Sequence, residues 1–144
     1  MGARRAVLVL LIAFAVLAAP GIALAARSFT DPKGDAEGAR DLTKVVVSND
    51  RRGNVTFRIS FAPARLRPSD GVGIYFDIDR NDATGDRFGA DRCVFVFSPL
   101  RGWELDAWDG SQLSAVARGK TLVRRTATGL RITVNVSALG GKRT

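Results

Sequence analysis

Histidine is absent from the 144 residues, and there is a single cysteine. Several chemistries go with them. A zinc site of Cys and His ligands cannot be assembled, a Ser-His-Asp or Cys-His nucleophile has no imidazole base, and haem held by His or Met axial ligands is excluded, since the one methionine is the initiator Met1. One cysteine cannot close an intramolecular disulfide, so stability must come from the core and from any bound metal ion. Cys93 lies in the apolar run Cys93-Val94-Phe95-Val96-Phe97, a setting that predicts a buried, inert thiol. A membrane-spanning run is lacking too: Ala6 to Ala19 is apolar but stops at Pro20-Gly21, short of the about 20 residues a spanning helix needs.

That short run has the form of an export signal. Arg4 and Arg5 precede it, and the small residues Ala23 and Ala25 flank Leu24 at the spacing a signal peptidase reads. Residues 1–25 are expected to be a cleaved signal peptide, with the cut after Ala25 or, in the neighbouring frame, after Ala26. The mature chain is then secreted, with no transmembrane anchor after cleavage and, with no cysteine at the cut, no lipid anchor. Residues 26–144 suit a single domain, expected to be a monomer. Loss of Arg4 and Arg5 leaves 20 basic against 14 acidic residues, about +6. Such a charge favours anionic partners such as cell-envelope polymers. The arginines are scattered rather than clustered, so no specific nucleic-acid partner is expected.

From Leu42 onward the apolar residues alternate with period two, the pattern of half-buried strands. Val55, Phe57, Ile59 and Phe61 share one phase while Thr56, Arg58 and Ser60 share the other, and Leu130, Ile132, Val134 and Val136 repeat this. Further runs are Leu42–Ser48, Val72–Ile78, Arg92–Phe97, Trp103–Trp108, Leu113–Ala117 and Thr121–Arg125, separated by turn residues such as Asp50, Gly53, Asp70-Gly71, Asp109-Gly110 and Thr128-Gly129. Short strands at this spacing predict an all-β fold, an antiparallel β-sandwich of jelly-roll or immunoglobulin-like type. Its core is expected to hold Phe57, Ile59, Ile74, Phe76, Phe95, Ile132 and Val134. After Val136 the residues Ser137 to Gly141 read as a turn that leads only to Lys142-Arg143-Thr144. Either the last strand forms an edge guarded by cations, or a closing C-terminal strand is lacking.

Two acidic, glycine-punctuated segments stand out in this basic chain: Asp31 to Asp41, and Asp77 to Asp91. Hard cations take six to eight oxygens from carboxylates, amides and backbone in a sharply turning loop. Asp77 and Asp79 share a phase opposite Val72, Ile74, Phe76 and Ile78, so both carboxylates are expected to leave the core together. A structural calcium ion is expected at Asp77 and Asp79, aided by Asn81 and Asp91 and by Asp35 or Asp41 of the first segment. The segment is no EF-hand, because the sixth position is Asp82 and the twelfth Phe88. The alternative is that these acids cap turns and pair with Arg80, Arg87 and Arg92.

The order Asp31-Pro-x-Gly-Asp35, Asp41-Leu-Thr-Lys-Val and Tyr75-Phe-Asp77-Ile-Asp79-x-Asn81, followed by Thr84-Gly85 and Gly89-Ala-Asp91, resembles exported actinobacterial proteins of unknown function. These look like distant members of the β-sandwich group that contains DOMON domains and xylanase-associated carbohydrate-binding modules. The resemblance spans roughly Asp31 to Gly140 and implies an antiparallel sandwich, structural calcium, and ligand binding rather than catalysis. The expected function is a secreted, non-catalytic module for a polysaccharide or cell-envelope component. Among the aromatic candidates Tyr75, Phe88, Trp103 and Trp108, the two tryptophans are five residues apart and must face opposite ways in a strand. Tyr75 and Trp108 are the expected ligand residues, with Trp103 in the core. The competing classes are a metal-assisted or paired-carboxylate hydrolase using Asp77, Asp79, Asp91 and Glu104, and a basic interaction protein held to the envelope by charge.

Overall fold

The computed structural model describes residues 7–10, 26–36, 40–65, 67, 70–97, 102–119 and 123–140. Ten strands follow one another: β1 (Val7–Leu10), β2 (Arg27–Thr30), β3 (Asp41–Asn49), β4 (Asn54–Ala62), β5 (Gly71–Phe76), β6 (Arg92–Phe97), β7 (Gly102–Trp108), β8 (Leu113–Gly119), β9 (Val123–Arg125) and β10 (Gly129–Asn135). A single 3-10 turn, Val136–Leu139, closes the described chain, and no α-helix occurs among the described residues. No helix there is long and apolar enough to cross a membrane. The expected signal peptide lies outside the described residues except for Val7–Leu10, which pair in parallel with β5.

The strands form two sheets, in the orders β1-β5-β6-β7-β8 and β2-β3-β4-β10-β9. Apart from β1 on β5, every pairing is antiparallel. The arrangement is β-sandwich-like. One apolar cluster takes Val45, Val47, Phe57, Ile59, Ile132 and Val134 from one sheet and Val72, Ile74, Phe76, Val94, Val96 and Leu105 from the other. The rings of Phe57 and Phe76 meet edge to face between the sheets, centroids 5.9 Å apart. Each large aliphatic side chain buried this way contributes roughly 1.5–3 kcal/mol, and no disulfide supplements them: Cys93 is free and buried.

Turn chemistry joins the strands as the sequence suggests. Between β3 and β4 the Asp50 carboxylate accepts from the backbone N–H groups of Arg52 (2.8 Å) and Asn54 (3.0 Å), an Asx-type cap that aligns the two strands. Between β7 and β8, Asp109 accepts from the N–H groups of Ser111 and Gln112, both at 2.9 Å. These donors hold its carboxyl well below the usual carboxylate range.

Three expectations change. Phe95 is not a core residue: β6 is apolar on both phases, and its pairing with Ile74 and Leu105 turns Val94 inward and leaves Phe95 on the outer face. The strand carrying Tyr75 ends at Phe76, so Asp77 and Asp79 sit in the turn beyond it, and Ile78 is exposed. β10 is no edge, since it lies between β4 and β9. The residues after it fold back, with Leu139 buried and Gly140 capping the turn at φ 84°.

Candidate functional site

Strand alternation decides which residues lie on the outer face of the β5–β8 sheet. With Val72, Ile74, Val94, Val96 and Leu105 turned inward, the opposite phase carries Gly71, Gly73 and Tyr75 on β5, Cys93, Phe95 and Phe97 on β6, and Glu104, Asp106 and Trp108 on β7. Trp103 packs against the core. The two tryptophans thus face opposite ways, and Trp108 shares its face with Tyr75. Four ladder levels, from the Phe97 to the Trp108 end, span about 20 Å at 3.4 Å per residue.

The two glycines make this face possible. A β-carbon on Gly71 would lie 2.9 Å from Cζ of Phe95, and one on Gly73 would lie 3.0 Å from Cε2 of Tyr75, so the rings occupy the space side chains would fill. Phe95 and Phe97 meet at 5.0 Å, and Tyr75 meets Phe88 of the following loop at 5.8 Å, both edge to face. The Arg87 guanidinium lies 4.6 Å from the Phe88 ring centroid, a cation–π contact that extends the patch.

Polar groups thread between the rings. Arg118 of β8 pairs with Glu104 at 2.7 Å, and Asp106 lies two residues further along β7 on the same face. Burial and the neighbouring Glu104 charge push the Asp106 carboxyl up to about 6. Its Oδ1 is shut off from solvent and has no hydrogen-bond partner, consistent with a group that resists ionisation. Burial likewise pushes the Cys93 thiol up to about 12, with the Asp106 charge adding to it and a hydrogen bond from Tyr75 opposing it. Such a thiol is inert at neutral pH.

At the Trp108 end this face runs into the second acidic segment, where the Trp108 N–H donates to the Asp91 carbonyl at 2.9 Å. Asp77, Asp79 and Asp91 each offer a carboxylate oxygen within 4.8 Å of the others. The loop is drawn tight around them: Ile78 N–H donates to Asp91 at 2.8 Å, Asn81 N–H to Asp77 and Asp79 at 3.2 and 3.0 Å, and the Thr84 hydroxyl to Asp79 at 2.9 Å. Asn81 joins through its backbone, while its side-chain oxygen accepts from Ala83 N–H at 3.2 Å. Gly89 at φ 72° lets the loop close, since a β-carbon there would meet Cα of Asp82 at 2.7 Å. Three convergent carboxylates with a polar turn fit a hard cation in donor type, although much of their capacity is already used on the loop's own N–H groups.

Asp35 and Asp41 do not join this group. They cluster with Asp31. Asp41 follows Arg40, whose Nε lies 3.4 Å from the buried Asp70 carboxylate just before Gly71, so the first acidic segment sits at the opposite end of β5 from Asp77. Phe95, Phe97 and Asp106 escaped the sequence reading, although glycine at every other position of Gly71-Val72-Gly73 was a signal that a neighbouring ring needed room. Comparisons of the chain with protein-family models, curated proteins and solved structures return no match, so the arrangement of side chains alone carries the functional reading.

Proposed function

We propose that the chain is a secreted, non-catalytic binding module that takes a polysaccharide or related envelope component across the outer face of β5–β8. In this reading it belongs to the DOMON-like and carbohydrate-binding sandwich group, in a jelly-roll or immunoglobulin-like variant. The observation that carries the proposal is the gathering of Tyr75, Phe88, Phe95, Phe97 and Trp108 around the Arg118-Glu104-Asp106 network. Sugars present apolar faces that rest on aromatic rings and hydroxyls that bond planar charged groups, and this surface offers both in alternation.

A structural calcium ion held by Asp77, Asp79 and Asp91 is part of the proposal. It would neutralise three convergent charges and brace the loop beside Trp108. Extracellular modules bind calcium with dissociation constants of about 10⁻⁴ to 10⁻³ M, and at ten times that value the ion stabilises the fold by roughly 1.4 kcal/mol.

The experiment is a glycan array with the mature protein, with and without calcium, followed by titration of any hit against Trp108→Ala and Tyr75→Ala. Loss of about tenfold or more in affinity without a change in melting temperature is expected. A hit bound equally well by both variants would rule out this face. For the metal, millimolar calcium should raise the melting temperature, chelator should reverse the rise, and Asp77→Asn with Asp79→Asn should abolish it. Identical melting in calcium and chelator would leave these acids as turn caps only.

A further inference from the structure

The other sheet presents a different surface. Phe57, Ile59, Ile132, Leu130 and Val123 are buried, so the alternate residues Arg58 of β4, Arg131 of β10 and Arg124 of β9 point outward, and all three are exposed. The ladders set Arg58 directly opposite Arg131 and Arg131 directly opposite Arg124. They form a lateral row with strand-to-strand steps of about 4.7–4.9 Å. Lys44 flanks it one level along on β3, and the nearest outward residues Val46, Ser48, Thr56, Ser60 and Thr133 carry no charge; Asp41, the one carboxylate on this phase among the described strand residues, lies opposite Ala62 at the far end of β3 and β4 and accepts from the Gly34 N–H. Arg40, Arg67 and Arg118 each have an acidic partner, whereas the row takes part in none of the ion pairs among the described residues.

Like charges directly opposite one another destabilise a sheet. Three guanidinium groups in adjacent registers therefore work against the fold unless something anionic covers them. We propose that this row is a docking surface for a linear acidic polysaccharide, whose carboxylates suit the planar guanidinium fork. A membrane fits less well, because the row is bordered by Ser and Thr and offers no aromatic or long aliphatic side chain to enter a bilayer. The inference stands on the opposite sheet from the aromatic face and goes beyond the function proposed for it.

The test uses the mature protein, sodium polygalacturonate as probe, and the triple variant Arg58→Gln, Arg131→Gln, Arg124→Gln. Affinity should fall about tenfold, the combined effect of removing three exposed guanidinium–carboxylate pairs, and its salt dependence should become shallower. The charge-matched control Arg27→Gln, Arg51→Gln, Arg65→Gln should bind nearly as well as the wild type. The row variant should keep full affinity for any neutral glycan held by the aromatic face, which separates this inference from the reading of that face. The triple variant should melt no lower than the wild type, so a misfolded sample cannot account for weakened binding. Equal reductions in both triple variants, or none in the row variant, would overturn the proposal. So would binding only to vesicles containing anionic phospholipid, which would assign the row to lipid.

Discussion

Asp106→Asn should make the stability of this protein nearly independent of pH between about 5 and 7.5, where the wild type loses stability as pH rises. The native carboxyl is pushed up to about 6 from an ordinary 3.8 by burial and by Glu104, so the folded state binds the proton more tightly than the unfolded chain. A raised acid stabilises the fold while protonated, and that contribution is lost as pH rises through about 6. With no histidine in the chain, and with Cys93 and Tyr75 both pushed up to about 12, little else among the side chains competes in this window. Asp50 and Asp109 are held low by donors from their own turns, so their contributions are lost only in stronger acid. The whole shift would correspond to about 3 kcal/mol for a fully buried group, but only the part from pH 5 to about 6, about 1.4 kcal/mol, falls in this window, and because Asp106 is half-buried solvent screening reduces it to roughly 0.5 kcal/mol. With a urea slope of about 1–3 kcal/mol/M, the wild-type midpoint should drop by roughly a quarter of a molar between pH 5 and 7.5. Urea unfolding of both proteins at the two pH values is the assay, with a carboxyl NMR titration of Asp106 beside it. A flat wild-type midpoint, or a slope that survives Asp106→Asn, would refute the coupling.

Ile132 is fully buried at the centre of the β4-β10-β9 ladder, and Ile132→Ala should cost about 2–5 kcal/mol in urea unfolding by opening a cavity that two sheets cannot collapse around. Gly89→Ala forces a left-handed residue and a clash with the backbone of Asp82, so a loss of about 1–3 kcal/mol is expected from the melting curve. The Cys93 thiol should resist a thiol reagent at about pH 8 in the native protein and react fully once unfolded, by absorbance of the released chromophore. Native reactivity comparable with that of a free thiol would show that the neighbouring side chains of β5 and β7 do not cover it.

Much of the strand layout was legible because each half-buried strand writes its two environments into alternate residues. The runs expected at Leu42–Ser48, Arg92–Phe97 and Trp103–Trp108 appear as Asp41–Asn49, Arg92–Phe97 and Gly102–Trp108. β2 was not legible, since Arg27-Ser28-Phe29-Thr30 is short and exposed throughout and therefore carries no alternation. The face chosen by Phe95 was hidden for the opposite reason: when both phases of a strand are apolar, only the neighbouring strands decide, and here glycines on β5 leave room on the outside. Convergence of Asp77, Asp79 and Asp91 follows from a local loop and could be anticipated in part. The separation of Asp35 and Asp41 from them depends on which end of β5 each segment reaches, a question of topology that spacing along the chain does not answer.

The place of β10 bears on the order in which the molecule can be made. Its seven residues insert between β4 and β9, pairing Asn135 with Asn54 and Gly129 with Ser60, so the β2-β3-β4 meander waits for a strand nearly seventy residues further along before its sheet is whole. Until then β4 has an open edge and the inner sides of Phe57 and Ile59 lack the cover of Ile132 and Leu130. Pairings this distant in sequence form slowly, because a long loop must close before any contact rewards it. A chain still being synthesised therefore keeps this sheet incomplete until β10 has emerged and can insert between β4 and β9.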